Sequence, residues 1–125
     1  MKCTLGQAVD AAQVVARLNG IRMKSTATAR KLFGLKKLLE PNFEFYVEEE
    51  KKLIEELGGS VREDGVILFE DQQDGIRKLS DGRQELRASE CEIAIDKPII
   101  FHDSEGIQLS GEEIEILDGL ADFRE

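Results

Sequence analysis

The chain has 125 residues, of which 34% are charged, with a formal net charge of −9 and no tryptophan; this suits one domain over 1–125, with solvated helix faces around a modest core. No run of about 18 apolar residues is present and no basic-then-apolar leader follows Met1, so no membrane partner is expected and a cytoplasmic location is. Cys3 and Cys91 have no neighbouring Cys or His, and His102 is the single histidine, which excludes a zinc framework and leaves buried reduced thiols as the expectation.

Thr4 followed by Gln7 three positions later matches a capping box, and Leu5, Ala8, Val9, Ala12, Val15 and Leu18 then recur at helical spacing. A first helix from about Leu5 to Leu18 is predicted, ended by Asn19-Gly20. The short connection through Met23 and Lys24 places the next helix antiparallel to it.

That next helix is the dominant feature. Leu32, Leu39, Tyr46 and Leu53 repeat every seven residues, with Leu35, Phe43 and Leu57 on the same side, and Ser25 or Thr26 can cap the start. Gly58-Gly59 ends it. Pro41 lacks an amide hydrogen and clashes with the Lys37 carbonyl, yet the stripe keeps its phase across it, so one kinked helix is predicted. From Thr26 to Leu57 such a rod is about 48 Å long, more than a domain of this size is wide. Part of it is expected to project.

After Gly59 the pattern becomes extended. Ser60–Glu63 and Val66–Phe69 flank Asp64-Gly65 and predict a hairpin. Asp71 to Glu90 reads as a third helix carrying Ile76, Leu79 and Leu86, weakened by Gly75 and Gly82 and running back over Tyr46, Leu53 and Leu57. Cys91–Asp96, with Ile93 and Ile95 on one face, and Ile99–Phe101 predict strands. Ser110 and Glu113 form a second capping box, opening a final helix with Ile114, Leu117, Leu120 and Ala121 on one face and Phe123 as a last anchor.

Residues 1–39 carry eight Lys/Arg against one acid, Asp10, hence +7; the remainder carries nine against twenty-five, hence −16. Two uses compete. The halves pack or assemble against one another, or the basic segment Arg30, Lys31, Lys36 and Lys37 contacts a polyanion; the acidic remainder favours the first.

No residues assemble into a recognisable catalytic or cofactor motif. Glu48–Glu50 and Glu55–Glu56 lie on a helix, where successive side chains point about 100° apart and cannot converge on one ion. Asp71, Asp74 and Gly75 lack the alternating ligands and closing glutamate of a calcium loop. No nucleophile elbow accompanies His102, and the glycines are dispersed as caps and turns. A non-enzymatic protein without a metal or cofactor is expected.

The segments "TLGQAVDAAQVVARL", "TARKLFGLKKLLEP", "FYVEEEKKLIEELGG", "ECEIAIDKPIIF" and "LSGEEIEILDGLADF" together resemble a family of small uncharacterised proteins encoded in bacteriophage and prophage genomes, chiefly of Gram-positive bacteria. The resemblance spans nearly the whole chain and implies a phage or prophage setting inside a bacterial host cell. The family has no established activity and lends no site residue. This chain departs from it at Gly75 and Gly82, which implies a less rigid third helix.

The expected fold is α+β: a long helical hairpin of helices two and three, an N-terminal helix, a small antiparallel β-structure from about residues 60–69 and 92–101, and a short C-terminal helix. The expected function is an interaction or assembly protein of phage origin, self-associating through the part of the stripe Leu32, Leu39, Phe43, Tyr46, Leu53 and Leu57 that its own chain leaves open, or binding another phage or host protein. The alternative is a nucleic-acid-associated regulator using Arg30, Lys31, Lys36 and Lys37.

Overall fold

The computed structural model describes residues 1–125. In chain order the elements are β1 (Lys2–Thr4), α1 (Leu5–Asn19), α2 (Thr26–Glu56), β2 (Ser60–Val61), β3 (Ile67–Leu68), α3 (Gln72–Ala88), β4 (Glu90–Glu92), β5 (Ile99–His102), a 3-10 turn at Asp103–Glu105, α4 (Gly111–Ile116) and β6 (Ala121–Arg124). Each α-helix starts at a side-chain cap. Thr4 accepts from the Gln7 amide and Gln7 returns the bond, Ser110 and Glu113 do the same at α4, Ser25 accepts from the Thr28 amide, and Asp71 accepts from that of Asp74. Gly58, at φ 73°, supplies the left-handed turn that stops α2.

α2 runs its 31 residues through Pro41 without interruption, a rod about 46 Å long. Its first half lies against α1, and the Asn19 side chain ties the two by donating to the carbonyls of Val15 and Leu32. The core sits at this base. Ala8, Ala11, Val15 and Leu18 of α1 meet Leu32, Leu35 and Leu39 of α2, closed from the far side by Ile93, Phe101, Leu117 and Leu120. Each large side chain buried there contributes about 1.5–3 kcal/mol.

The second half of α2 leaves the base as an arm with α3 folded back along it. The arm is thinly packed, with Ile54 and Leu79 buried and Leu53, Leu57, Phe69 and Leu86 half-buried. Gly82 and Gly75 lie within an unbroken α3 and are contact points. A Cβ on Gly82 would sit 2.6 Å from Leu53 Cδ2, and one on Gly75 would overlap the Phe69 ring. Small residues here let α3 approach α2 and the hairpin closely.

The strands differ from expectation in their partners. Ser60–Val61 and Ile67–Leu68 form the expected hairpin, but residues 92–101 do not join it. β4 instead pairs antiparallel with β1, a strand not foreseen, and β5 pairs in parallel with β6. The final helix is correspondingly short. It ends at Ile116, and Ala121 and Phe123 lie in a strand whose register sets Phe123 beside Phe101, with ring centroids 5.6 Å apart. Gly119, at φ 81°, makes the turn between them. Cys3 and Cys91 face each other across β1 and β4 as free thiols, half-buried where burial was expected.

Candidate interaction surface

Two faces of α2 have opposite fates. Leu32 and Leu39 are only 2% and 1% exposed, so these members of the expected contact stripe are core and are not available to a partner. Phe43, Tyr46, Leu53 and Leu57 are half-buried. Leu53 is covered by α3 through Gly82, while Arg83 reaches Glu50 at 3.1 Å. Tyr46 lies in the same seam, where burial first and then neighbouring Glu50 raise its phenol above the ordinary value. Arg87 closes the seam by pairing with Asp10 of α1 at 2.8 Å.

The apolar side chains α2 leaves in water were not singled out from sequence. Phe33, Phe45 and Val47 are 53%, 52% and 49% exposed. Phe33 and Val47 are fourteen residues apart, four turns of helix, and so lie on one side with Arg30, Lys37, Glu44 and Glu48 between and around them. A signal existed: these positions lie off the heptad stripe, Phe33 beside Leu32 and Phe45 and Val47 on the two sides of Tyr46.

Charge along α2 is graded. Thr26–Leu39 holds Arg30, Lys31, Lys36 and Lys37 and no acid; Glu40–Glu56 holds seven glutamates and only Lys51 and Lys52. This gradient opposes the helix dipole, which favours acids at the N-terminus and bases at the C-terminus by about 0.3–1 kcal/mol per terminal charge. The first turn of α2 has no acid and the last no base. Helix stability therefore does not explain the distribution.

The four expected polyanion contacts divide on inspection. Lys31 is engaged at the base, donating to Glu105 at 3.0 Å and to the Ile100 carbonyl at 2.9 Å. Lys36 and Lys37 lean on Glu40, and Lys37 also lies over the Phe33 ring at 5.3 Å. Arg30 has no ion-pair partner, and neither do Glu44 and Glu48. The unpaired charges on this side of α2 are thus Arg30 near one end and Glu44, Glu48, Lys51 and Glu55 beyond its middle.

Elsewhere, a cleft of about 650 Å³ opens between β1, the start of α1 and the α4–β6 turn, with Asp10, Glu112, Glu115 and Asp118 in its walls beside Lys2 and Cys3. No group of three or more His, Cys, Asp and Glu side chains is arranged to hold a metal ion. His102 is exposed, its Nδ1 3.4 Å from the Glu125 carbonyl oxygen. No helix is long and apolar enough to cross a membrane.

Comparison with protein-family models, curated proteins and solved structures finds no match to this chain.

Proposed function

We propose that the chain is a non-enzymatic assembly protein, in keeping with a phage or prophage setting, that pairs with a second copy of itself through the outer face of α2. The observation that carries this reading is the charge gradient set against the helix dipole on a face that also exposes Phe33 and Val47. Two such helices laid antiparallel about Glu40 bring Phe33 of one opposite Val47 of the other, and Lys36 opposite Glu44. Arg30 then falls within a turn of Glu48. The gradient that is unfavourable within one helix becomes complementary between two.

The expected affinity is modest. Four half-exposed apolar side chains, two from each copy, gain about 3–6 kcal/mol on burial, against an association cost of about 4–15 kcal/mol, so ion pairs at the rim decide whether the dimer forms. Sedimentation equilibrium from about 10 µM to about 1 mM is the test. Lys36→Glu/Lys37→Glu and Glu44→Lys/Glu48→Lys are each expected to stay monomeric and to associate when mixed. A wild-type monomer at the top of the range refutes the proposal. Retardation of a DNA or RNA duplex, weakening steeply with salt, would favour the regulator reading that the exposed Arg30, Lys36 and Lys37 also permit.

A further inference from the structure

The β1–β4 ladder brings the two cysteines of the chain together. Met1 and Ile93 exchange both backbone hydrogen bonds, and the Leu5 amide donates to the Ser89 carbonyl, so by alternation Cys3 and Cys91 are a hydrogen-bonded cross-strand pair. Such pairs set their Cα atoms about 5.5 Å apart, inside the range a disulfide spans. The Sγ atoms already stand 3.5 Å apart, and Cys3 lines the acidic cleft, giving a reagent a path to it from solvent. Neither a core role nor the proposed contact face on α2 requires two thiols at this place.

We propose that Cys3 and Cys91 form a reversible intramolecular disulfide by exchange with a neutral or cationic low-molecular-weight disulfide entering through the cleft. The Cys3 thiolate attacks one sulfur of the reagent, giving a mixed disulfide and expelling one small thiolate, which takes up a proton. Cys91 then loses its proton and attacks Cys3 Sγ, and the second small thiolate leaves. Two protein thiols are oxidised and one external disulfide is reduced to two thiols. The order follows from position: Cys91 is away from the cleft wall, and burial, with its hydrogen bond to Cys3, pushes its thiol up to about 11. The reagent class follows from charge, because Glu112, Glu115 and Asp118 outnumber Lys2 and the Met1 ammonium group around the entrance, Asp10 being paired with Arg87, and repel anions.

The bond would join the strand before α1 to the strand after α3, fixing the arm's return to the base. It closes most of the chain into one loop, so the melting temperature is expected to rise by roughly 5–15 °C and to fall back with dithiothreitol. The test is intact-mass spectrometry of the reduced protein after exposure to cystamine or to oxidised glutathione. Loss of two hydrogens with no adduct and no covalent dimer is expected, with a Cys3–Cys91 peptide in a non-reducing digest. Cystamine should react roughly threefold to tenfold faster than glutathione disulfide at low salt, the gap closing as salt is added. Cys91→Ser should retain one cystamine adduct at Cys3, and Cys3→Ser should react far more slowly. Persistent free thiols, stable adducts on the wild type or intermolecular dimers would overturn the disulfide, and equal rates for the two reagents would overturn the cleft as its entrance.

Discussion

Replacing Glu105 by Gln tests how the C-terminal segment is fastened to α2. The Glu105 carboxylate accepts from the Thr28 hydroxyl at 2.6 Å, from Lys31 at 3.0 and 3.2 Å and from the His102 amide at 2.7 Å. Thr28 is wholly buried and also meets the Ser25 hydroxyl at 3.0 Å. These donors, the Thr28 hydroxyl first and the His102 amide next, hold the carboxyl at about 2 against an ordinary 4.5. At about 1.4 kcal/mol per unit the displacement has an upper limit of ~3 kcal/mol. The side chain is still 14% exposed, and solvent screening leaves about 2 kcal/mol.

An amide offers one acceptor oxygen and turns an NH2 group toward donors, so most of that contribution is expected to vanish at pH 7. Because the folded-state value lies below the unfolded one, the contribution is complete above about pH 5 and lost as pH falls toward about 2. Urea unfolding of wild type and Glu105→Gln at pH 7, 4 and 3 is the assay, and differencing the two removes the parallel titration of Glu113 and Asp74, whose carboxyls are also held low. The stability gap should shrink from about 2 kcal/mol at neutral pH toward zero in acid. A gap that stays constant across the series, or is under about 0.5 kcal/mol at pH 7, refutes the reasoning.

Gly75→Ala should destabilise by about 1–3 kcal/mol in thermal unfolding, although alanine is the better helix former, because its methyl would collide with the Phe69 ring. Pro41→Ala should stabilise by about 1–3 kcal/mol, since Pro41 is exposed within α2 and the substitution returns an amide to the Lys37 carbonyl. Leu39→Ala should cost about 2–5 kcal/mol of monomer stability, whereas Phe33→Ser should cost under about 0.5 kcal/mol and weaken only the self-association seen in sedimentation.

Local chemistry determined much of this protein without reference to the fold. Caps at Thr4, Ser25 and Ser110 and stops at Gly20 and Gly58 act through hydrogen bonds within a few residues, so the sequence marks where α1 and α2 begin and end and where α4 begins. The heptad of Leu32, Leu39, Tyr46 and Leu53 likewise identified the side of α2 that faces inward, and Asp64-Gly65 located the hairpin. These signals carry no information about which distant segment lies opposite. Whether Leu39 is a free contact or a core residue depends on Ile93, Phe101, Leu117 and Leu120 returning over it, more than fifty residues later. β1, and the parallel pairing of Ile99–His102 with Ala121–Arg124, exist because backbone groups at a short strand's edge need a partner, and only the folded chain decides which one is near. The meeting of Cys3 with Cys91, the engagement of Lys31 by Glu105 and the exposure of Phe33 are set in the same way, by long-range packing.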